Sequence, residues 1–99
     1  MVRHIVTWKH SPGRTADERA ADAKRIKTSL EALPAIIGGI AELRVHTEVL
    51  PACYGDLVLN SLFETEEALA AYQVHPEHKK VSEFVRSVTC DRVCVDFCE

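Results

Sequence analysis

Two side chains suited to proton transfer, Tyr72 and His78, lie within the run Ala71-Tyr-Gln-Val-His-Pro-Glu-His-Lys-Lys80. An imidazole with a pKa near neutrality can act as a general base, and a phenol can orient it or hold a developing enolate. His78 precedes Val81 by three residues and Val85 by seven, so helical spacing directs it toward the apolar side of its helix. The pair predicts proton transfer. A packing or capping role for the same residues is an equally open interpretation.

The neighbouring His75 is interpreted as a structural residue. It precedes Pro76, and a residue before proline leaves the α region while proline can start the next helix, so His75 is expected to cap a helix or form a turn. The spacing of His75 and His78 differs from the i, i+4 zinc pair, and no acidic or cysteine ligand nearby completes a set. We therefore expect neither a metal ion nor a cofactor.

The cysteines predict free thiols. Cys90, Cys94 and Cys98 repeat every fourth residue in a segment rich in Val and Phe, which is typical of a strand. At about 3.3 Å per residue, neighbours four apart lie about 13 Å from each other, beyond disulfide reach. Cys53 is the fourth cysteine, and the chain begins without a secretory pattern, so reduced thiols in the cytoplasm are expected.

The elements that must position Tyr72 and His78 follow from hydrophobic period and turn residues. A capping box, Thr15-Ala-Asp-Glu18, begins a helix predicted over 15–33, which Pro34 ends. Alternation predicts strands over 2–9, 43–49, 56–63 and 89–97, and a second helix begins at Thr65 and is split at Pro76. The order β-α-β-β-α-β over a single domain, 1–99, predicts an α+β ferredoxin-like protomer with a four-stranded antiparallel sheet and helices on one face.

Strand alternation divides the predicted sheet into two faces. The more polar face carries Val2, His4, Val6, Trp8, Asp56, Val58, Asn60, Leu62, Arg92, Cys94, Asp96 and Cys98. The more uniformly apolar face carries Ile5, Thr7, Leu57, Leu59, Ser61, Phe63, Val93, Val95 and Phe97. Two helical segments cover only one face, so the apolar face would be exposed on a monomer. We therefore predict a homodimer that packs sheet against sheet, which is the arrangement of a dimeric α/β barrel.

Composition excludes two other classes of partner. The net charge is −3 with scattered Lys and Arg, which provides no basic stripe for nucleic acid. The longest uncharged stretch, Leu50 to Gly55, is far shorter than the roughly 20 apolar residues that cross a bilayer, so no membrane partner is expected.

The sequence resembles the stress-responsive A/B-barrel (Dabb) domain family over nearly its whole length. The resemblance is carried by Val2-Arg-His-Ile-Val-Thr-Trp-Lys9, Tyr54-Gly-Asp-Leu-Val-Leu59, the Tyr-x-x-His-Pro-x-His run of residues 72–78, and Asp91-Arg-Val-Cys-Val-Asp96. It implies a dimeric α+β barrel with a pocket between sheet and helices. The family includes a plant polyketide cyclase, whose similarity implies His78 as general base, Tyr72 as its partner and His4 as a further pocket residue.

The resemblance also implies a substrate class. The predicted pocket is lined by Val6, Trp8, Ile26, Asp56, Val58, Val81, Arg92 and Cys94. Asp56 stands where the cyclase has another histidine, and Asp22, Ala23 and Lys27 are small or charged where a long tail would lie, so a small carbonyl or hydrophobic ligand is favoured over a long polyketide. The leading hypothesis is a cyclase or isomerase; the alternative is a non-catalytic ligand-binding or stress-associated dimer. A third hypothesis, a haem-handling or oxygenating protein, rests on fold analogy alone.

Overall fold

The computed structural model describes residues 1–99 and shows one antiparallel sheet with helices on one side. The strands are β1 (Val2–His10), β2 (Ile40–His46), β3 (Leu57–Phe63) and β4 (Thr89–Cys98); the helices are α1 (Ala16–Glu31), α2 (Glu66–Val74) and α3 (Pro76–Val88), with a short 3₁₀ turn at Leu33–Ala35. The strand order is β2-β3-β1-β4. This is the ferredoxin-like arrangement, so the predicted fold class is confirmed.

The helix starts follow the predicted capping residues. The Thr15 side chain accepts from the Glu18 amide while the Glu18 carboxylate accepts from the Thr15 amide, which completes the capping box. Thr65 caps α2 through the Ala68 amide. His75 ends α2 and caps α3, since its Nδ1 accepts from the Glu77 amide.

Two predicted elements have bounds that differ from the structure by two residues or more. Helix α1 ends at Glu31 instead of residue 33, because Leu33 and Pro34 form a separate 3₁₀ turn. Strand β2 runs from Ile40 to His46, so it begins and ends three residues earlier than the predicted range 43–49. The earlier start follows from Gly39, whose φ of +84° turns the chain directly into the strand. The residues predicted as the end of β2 belong instead to the connection toward β3.

The predicted faces of β3 were wrong. Val6 pairs with Leu59 and Trp8 with Leu57, so the odd-numbered residues of β3 share the face of His4. Leu57, Leu59, Ser61 and Phe63 are buried beneath the helices, and Val58 and Asn60 lie on the opposite, open face. Alternation within one strand fixes which residues share a face, but which face it is depends on register with the neighbouring strand.

The core lies between this sheet face and the helices. Ile26, Leu30 and Leu33 recur at helical spacing in the first helical segment and are buried there, together with Val85 and Val88 of α3. None of the helices is both long enough and apolar enough to cross a bilayer.

Candidate functional site

A cavity of about 360 Å³ lies between the covered face of the sheet and the helices. Its lining residues come from β1, β3, β4 and all three helices: His4, Val6, Trp8, Leu30, Leu59, Tyr72, Gln73, His78, Ser82, Val85, Arg86 and Arg92. The volume is at the lower end of the range for small-molecule sites. The three residues predicted to carry the chemistry, His4, Tyr72 and His78, therefore line one common cavity.

Tyr72 lies on the last turn of α2 and is almost fully buried, with 1% of its surface exposed. Its ring packs against Phe63 at 4.9 Å and against His78 at 4.1 Å between centroids. Its hydroxyl has no hydrogen-bond partner. Burial raises the pKa of the Tyr72 phenol far above its usual value, so the group stays protonated and is available as a donor.

His78 lies on the first turn of α3, where the break at His75-Pro76 brings it against Tyr72. Its Nδ1 faces the Gln73 carbonyl oxygen at 3.4 Å. Because a carbonyl oxygen only accepts, this contact favours the proton on Nδ1 and leaves the lone pair on Nε2.

Burial lowers the pKa of the His78 imidazole below its usual value, and the positive charges of Arg92 and Arg86 act in the same direction. The Gln73 carbonyl partly opposes this change. His78 is therefore neutral at pH 7, which is the state in which an imidazole can accept a proton.

His4 lies at the centre of β1 and is held by its neighbours on β4. Its Nδ1 lies 2.5 Å from a carboxylate oxygen of Asp96, and Cys94 Sγ lies 3.3 Å from the same oxygen. Burial alone would raise the pKa of the Asp96 carboxyl, but the hydrogen bonds from His4 and Cys94 outweigh burial and lower it. The ionised Asp96 fixes the orientation of the His4 ring, which is 3% exposed.

His4, Cys94 and Asp96 are also the residues that could hold a metal ion. Their ligand atoms lie within 4.8 Å of one another. Burial, together with the Asp96 carboxylate, raises the pKa of the Cys94 thiol, so the sulfur is protonated and donates to Asp96. The three groups already satisfy one another by hydrogen bonds without an ion.

Arg86 and Arg92 bring positive charge to the cavity wall. Arg86 lies on α3 and Arg92 on β4, both are exposed at its mouth, and neither forms a salt bridge. Asp56 lies on the same predicted strand face as Arg92 but does not pair with it; the Asp56 carboxylate accepts from the His10 amide.

Several predicted lining residues lie outside the cavity. Val58 is on the open face of the sheet and Asp56 is exposed immediately before β3, because the odd-numbered residues of this segment are the ones that face the helices. Ile26 is fully buried in the core, Val81 packs against the core, and Cys94 lies behind His4, 3.7 Å from its Nδ1. Val6, Trp8 and Arg92 do line the cavity.

Sequence reasoning missed other members of the site. Ser82 and Arg86 follow His78 at four and eight residues, so helical spacing placed all three on one side of α3. Strand alternation places Asp96 on the same face of β4 as Cys94. It does not reveal the hydrogen bond between Asp96 and His4. Leu59 was missed because the predicted register of β3 placed it on the opposite face of the sheet.

The fold and cavity define an α+β protein of ferredoxin-like topology with a polar pocket between sheet and helices. A family model for the stress-responsive A/B barrel domain matches residues 2–99. The chain belongs to the stress-responsive A/B barrel domain (Dabb) family. No curated protein matches the sequence significantly.

Solved structures with the same fold include proteins of unknown function and an enzyme. A dimeric protein of unknown function from Bacteroides fragilis is 29% identical, with a TM-score of 0.89 over 97% of this chain and 93% of that one. A dimeric ferredoxin-like protein of unknown function from Thermobifida fusca is 26% identical, with a TM-score of 0.82 over 99% and 90%. The hydroxynitrile lyase of Passiflora edulis is 16% identical, with a TM-score of 0.76 over 97% and 90%, a likeness of fold alone.

Proposed function

We propose that this protein is an enzyme of the cyclase or isomerase type that removes a proton next to a carbonyl group of a small substrate. The observation that carries this proposal is the buried Tyr72 hydroxyl, which has no partner in the protein and lies beside the neutral imidazole of His78. A buried polar group without a partner costs about 1–3 kcal/mol. A ligand oxygen in the cavity would satisfy it.

In the proposed step, Nε2 of His78 accepts the proton from the carbon next to the carbonyl. The electron pair of the broken C–H bond forms the enolate, and the hydroxyl of Tyr72 donates a hydrogen bond to its oxygen. If the substrate has a β,γ double bond, return of the proton from His78 to the γ carbon gives the conjugated isomer. If the enolate carbon attacks a second carbonyl, the C–C bond closes the ring and the alkoxide that forms takes the proton back from His78. His4, fixed by Asp96, is the second imidazole at the cavity.

The cavity supports a small substrate. Its volume of about 360 Å³ leaves little room for a long chain, and its apolar wall is formed by Val6, Trp8, Leu30, Leu59 and Val85. This favours a compact carbonyl compound over a long polyketide.

Proton exchange tests the proposal directly. The protein is incubated in deuterium oxide with levulinate, methyl levulinate or cyclohexanone, and proton NMR follows the loss of the signals next to the carbonyl. We expect exchange above the buffer rate that falls by about 100-fold or more in His78→Asn. His46→Asn, which changes an exposed histidine outside the cavity, serves as the matched control and should keep the rate. Buffer-level exchange with all three compounds would contradict the proposal.

We also propose that the protein is a homodimer that packs its open sheet faces together. Val93, Val95 and Phe97 are 42%, 51% and 45% exposed on that face, with Ile5 and Val58 beside them. The Bacteroides fragilis and Thermobifida fusca proteins are described as dimeric. Sedimentation velocity at micromolar concentration should give the mass of two 11.0 kDa chains.

The four free cysteines support a reducing compartment, and we propose the cytoplasm. Fractionation of the native host with an antibody against the protein tests this location.

A non-catalytic binding function is the second candidate. The contact of the His78 ring with Tyr72 favours it, because this packing would hold α3 against α2 without any reaction. In that case His78→Ala would lower the melting temperature strongly, and no carbonyl compound would exchange its protons.

A further inference from the structure

We infer that Arg86 and Arg92 form a carboxylate-binding site at the mouth of the cavity, so that the substrate is an oxo acid. That the bound oxo acid is a substrate rests on the proposed function. The carboxylate-binding site itself does not depend on that reaction.

The first observation is the absence of salt bridges to Arg86 and Arg92. The Asp96 carboxylate acts on Arg92 from beyond salt-bridge distance and is already bound by His4 and Cys94. No Asp or Glu lines the cavity, and neither Arg86 nor Arg92 has a salt bridge. Two other arginines of this acidic chain do form salt bridges: Arg3 binds Glu42 and Glu99, and Arg14 binds Glu18 and Asp22. Arg25 stacks on Phe84 at 3.7 Å.

The second observation is the concentration of donors around one space. Two guanidinium groups share the cavity with the imidazoles of His4 and His78 and with the unpartnered hydroxyl of Tyr72. The charges of both arginines act on His78, and positive charge along a cleft raises the local concentration of anions. Guanidinium groups bind carboxylates through paired N–H donors, so two of them define an anion site with direction.

The third observation concerns the backbone beside Arg92. One residue of β1, Trp8, stands opposite two residues of β4, Asp91 and Arg92, which makes a β-bulge with Asp91 at φ of 51°. Bulges occur frequently beside functional sites, where they redirect a strand. Trp8 and Arg92 both line the cavity at this point.

A carboxylate fits better than a phosphate. No glycine lies among the lining residues, so the cavity lacks the backbone amide cradle of a phosphate loop. Half of the lining is apolar, which suits a short carbon chain between the charged end and the carbonyl. The carboxylate would lie at the arginines, and the carbonyl oxygen would lie near the Tyr72 hydroxyl.

Binding is tested with levulinate and its uncharged methyl ester, added to the isotope-labelled protein and followed by amide NMR shifts. We expect levulinate to bind at least about tenfold more tightly than the ester. Arg86→Gln and Arg92→Gln should each remove about that factor. Lys24→Gln, an equal loss of charge at an exposed position of α1 outside the cavity, should leave the affinity unchanged.

The outcomes separate this inference from the proposed reaction. Equal binding of acid and ester, no binding of either, an unchanged affinity in both arginine variants, or tighter binding of inorganic phosphate than of levulinate would overturn the carboxylate site. Arginine-dependent binding of levulinate without proton exchange would support the site and contradict the enzyme proposal. Arg92→Lys, which keeps the charge but not the paired donors, should recover only part of the lost affinity.

Discussion

At the scale of single residues, the Tyr72 hydroxyl separates a catalytic from a structural role. In the free protein it makes no hydrogen bond although its side chain is 1% exposed. A buried hydroxyl with a structural role is expected to form a hydrogen bond within the fold. A hydroxyl that binds an enolate is expected to have no hydrogen-bond partner until the ligand enters.

Tyr72→Phe is therefore expected to remove proton exchange while leaving the free energy of unfolding within about 1 kcal/mol of the parent, or raising it. The ring contacts with Phe63 and His78 remain in the variant, since only the oxygen is lost. Urea unfolding measures the stability, and proton exchange by NMR measures the activity. A loss of several kcal/mol would instead indicate a structural hydroxyl.

His78 should make the fold less stable in acid. Burial lowers the pKa of its imidazole in the folded state, and His4, Arg86 and Arg92 oppose its protonation. The unfolded chain therefore binds the proton first as the pH falls below about 6.5, so stability decreases from there through the lowered folded-state pKa. Urea unfolding between pH 7.5 and pH 5 checks this, and His78→Asn should show a shallower decrease than the parent. An identical pH dependence in both proteins would contradict it.

At the scale of elements, the junction between β1 and β3 determines how Trp8 reaches the cavity. The Asp56 amide donates to the Trp8 carbonyl at 2.7 Å, and Gly55 is buried directly beside it. A Cβ atom at Gly55 would lie 2.7 Å from the Trp8 carbonyl oxygen and would overlap the Thr7 hydroxyl. Only glycine permits this approach of the two chain segments.

Gly55→Ala is expected to lower the free energy of unfolding by about 1–3 kcal/mol, because the backbone must move to accept the methyl group. Gly38→Ala is the matched control, since no atom lies within 4 Å of a Cβ there. Thermal unfolding of both variants compares the two positions. Equal melting temperatures would show that the β1–β3 junction is adaptable.

At the scale of the whole molecule, the open face of the sheet divides into an ionic and an apolar part. Arg3 joins Glu42, Asn60 and Glu99 at one side. The apolar part, Ile5, Val93, Val95 and Phe97, lies toward β4 and is the surface expected to meet the second subunit.

Val95→Lys should dissociate the proposed dimer, because a buried ammonium group without a partner is costly at an interface. Leu50→Lys places the same charge on a loop residue that is 79% exposed and should leave the dimer intact. Sedimentation velocity distinguishes the species. A Val95→Lys protein that remains dimeric would place the subunit contact elsewhere.

The elements and their order were predictable because their signals are local. The Thr15 capping box, the His75-Pro76 break and the apolar stripe of α1 each depend on residues within a few turns of one another. The meeting of Tyr72 and His78 could also be predicted, since only the short break between α2 and α3 separates them in sequence.

The sequence by itself determined the ferredoxin-like order of the elements, the helix caps and the proximity of Tyr72 to His78. Tertiary structure decided which face of β3 meets the helices, the bond between His4 and Asp96, and the shared cavity of Arg86 and Arg92. These features depend on strand register and on the packing of residues far apart in the chain. A shift of one residue in register exchanges the two faces of a strand while leaving its alternation unchanged.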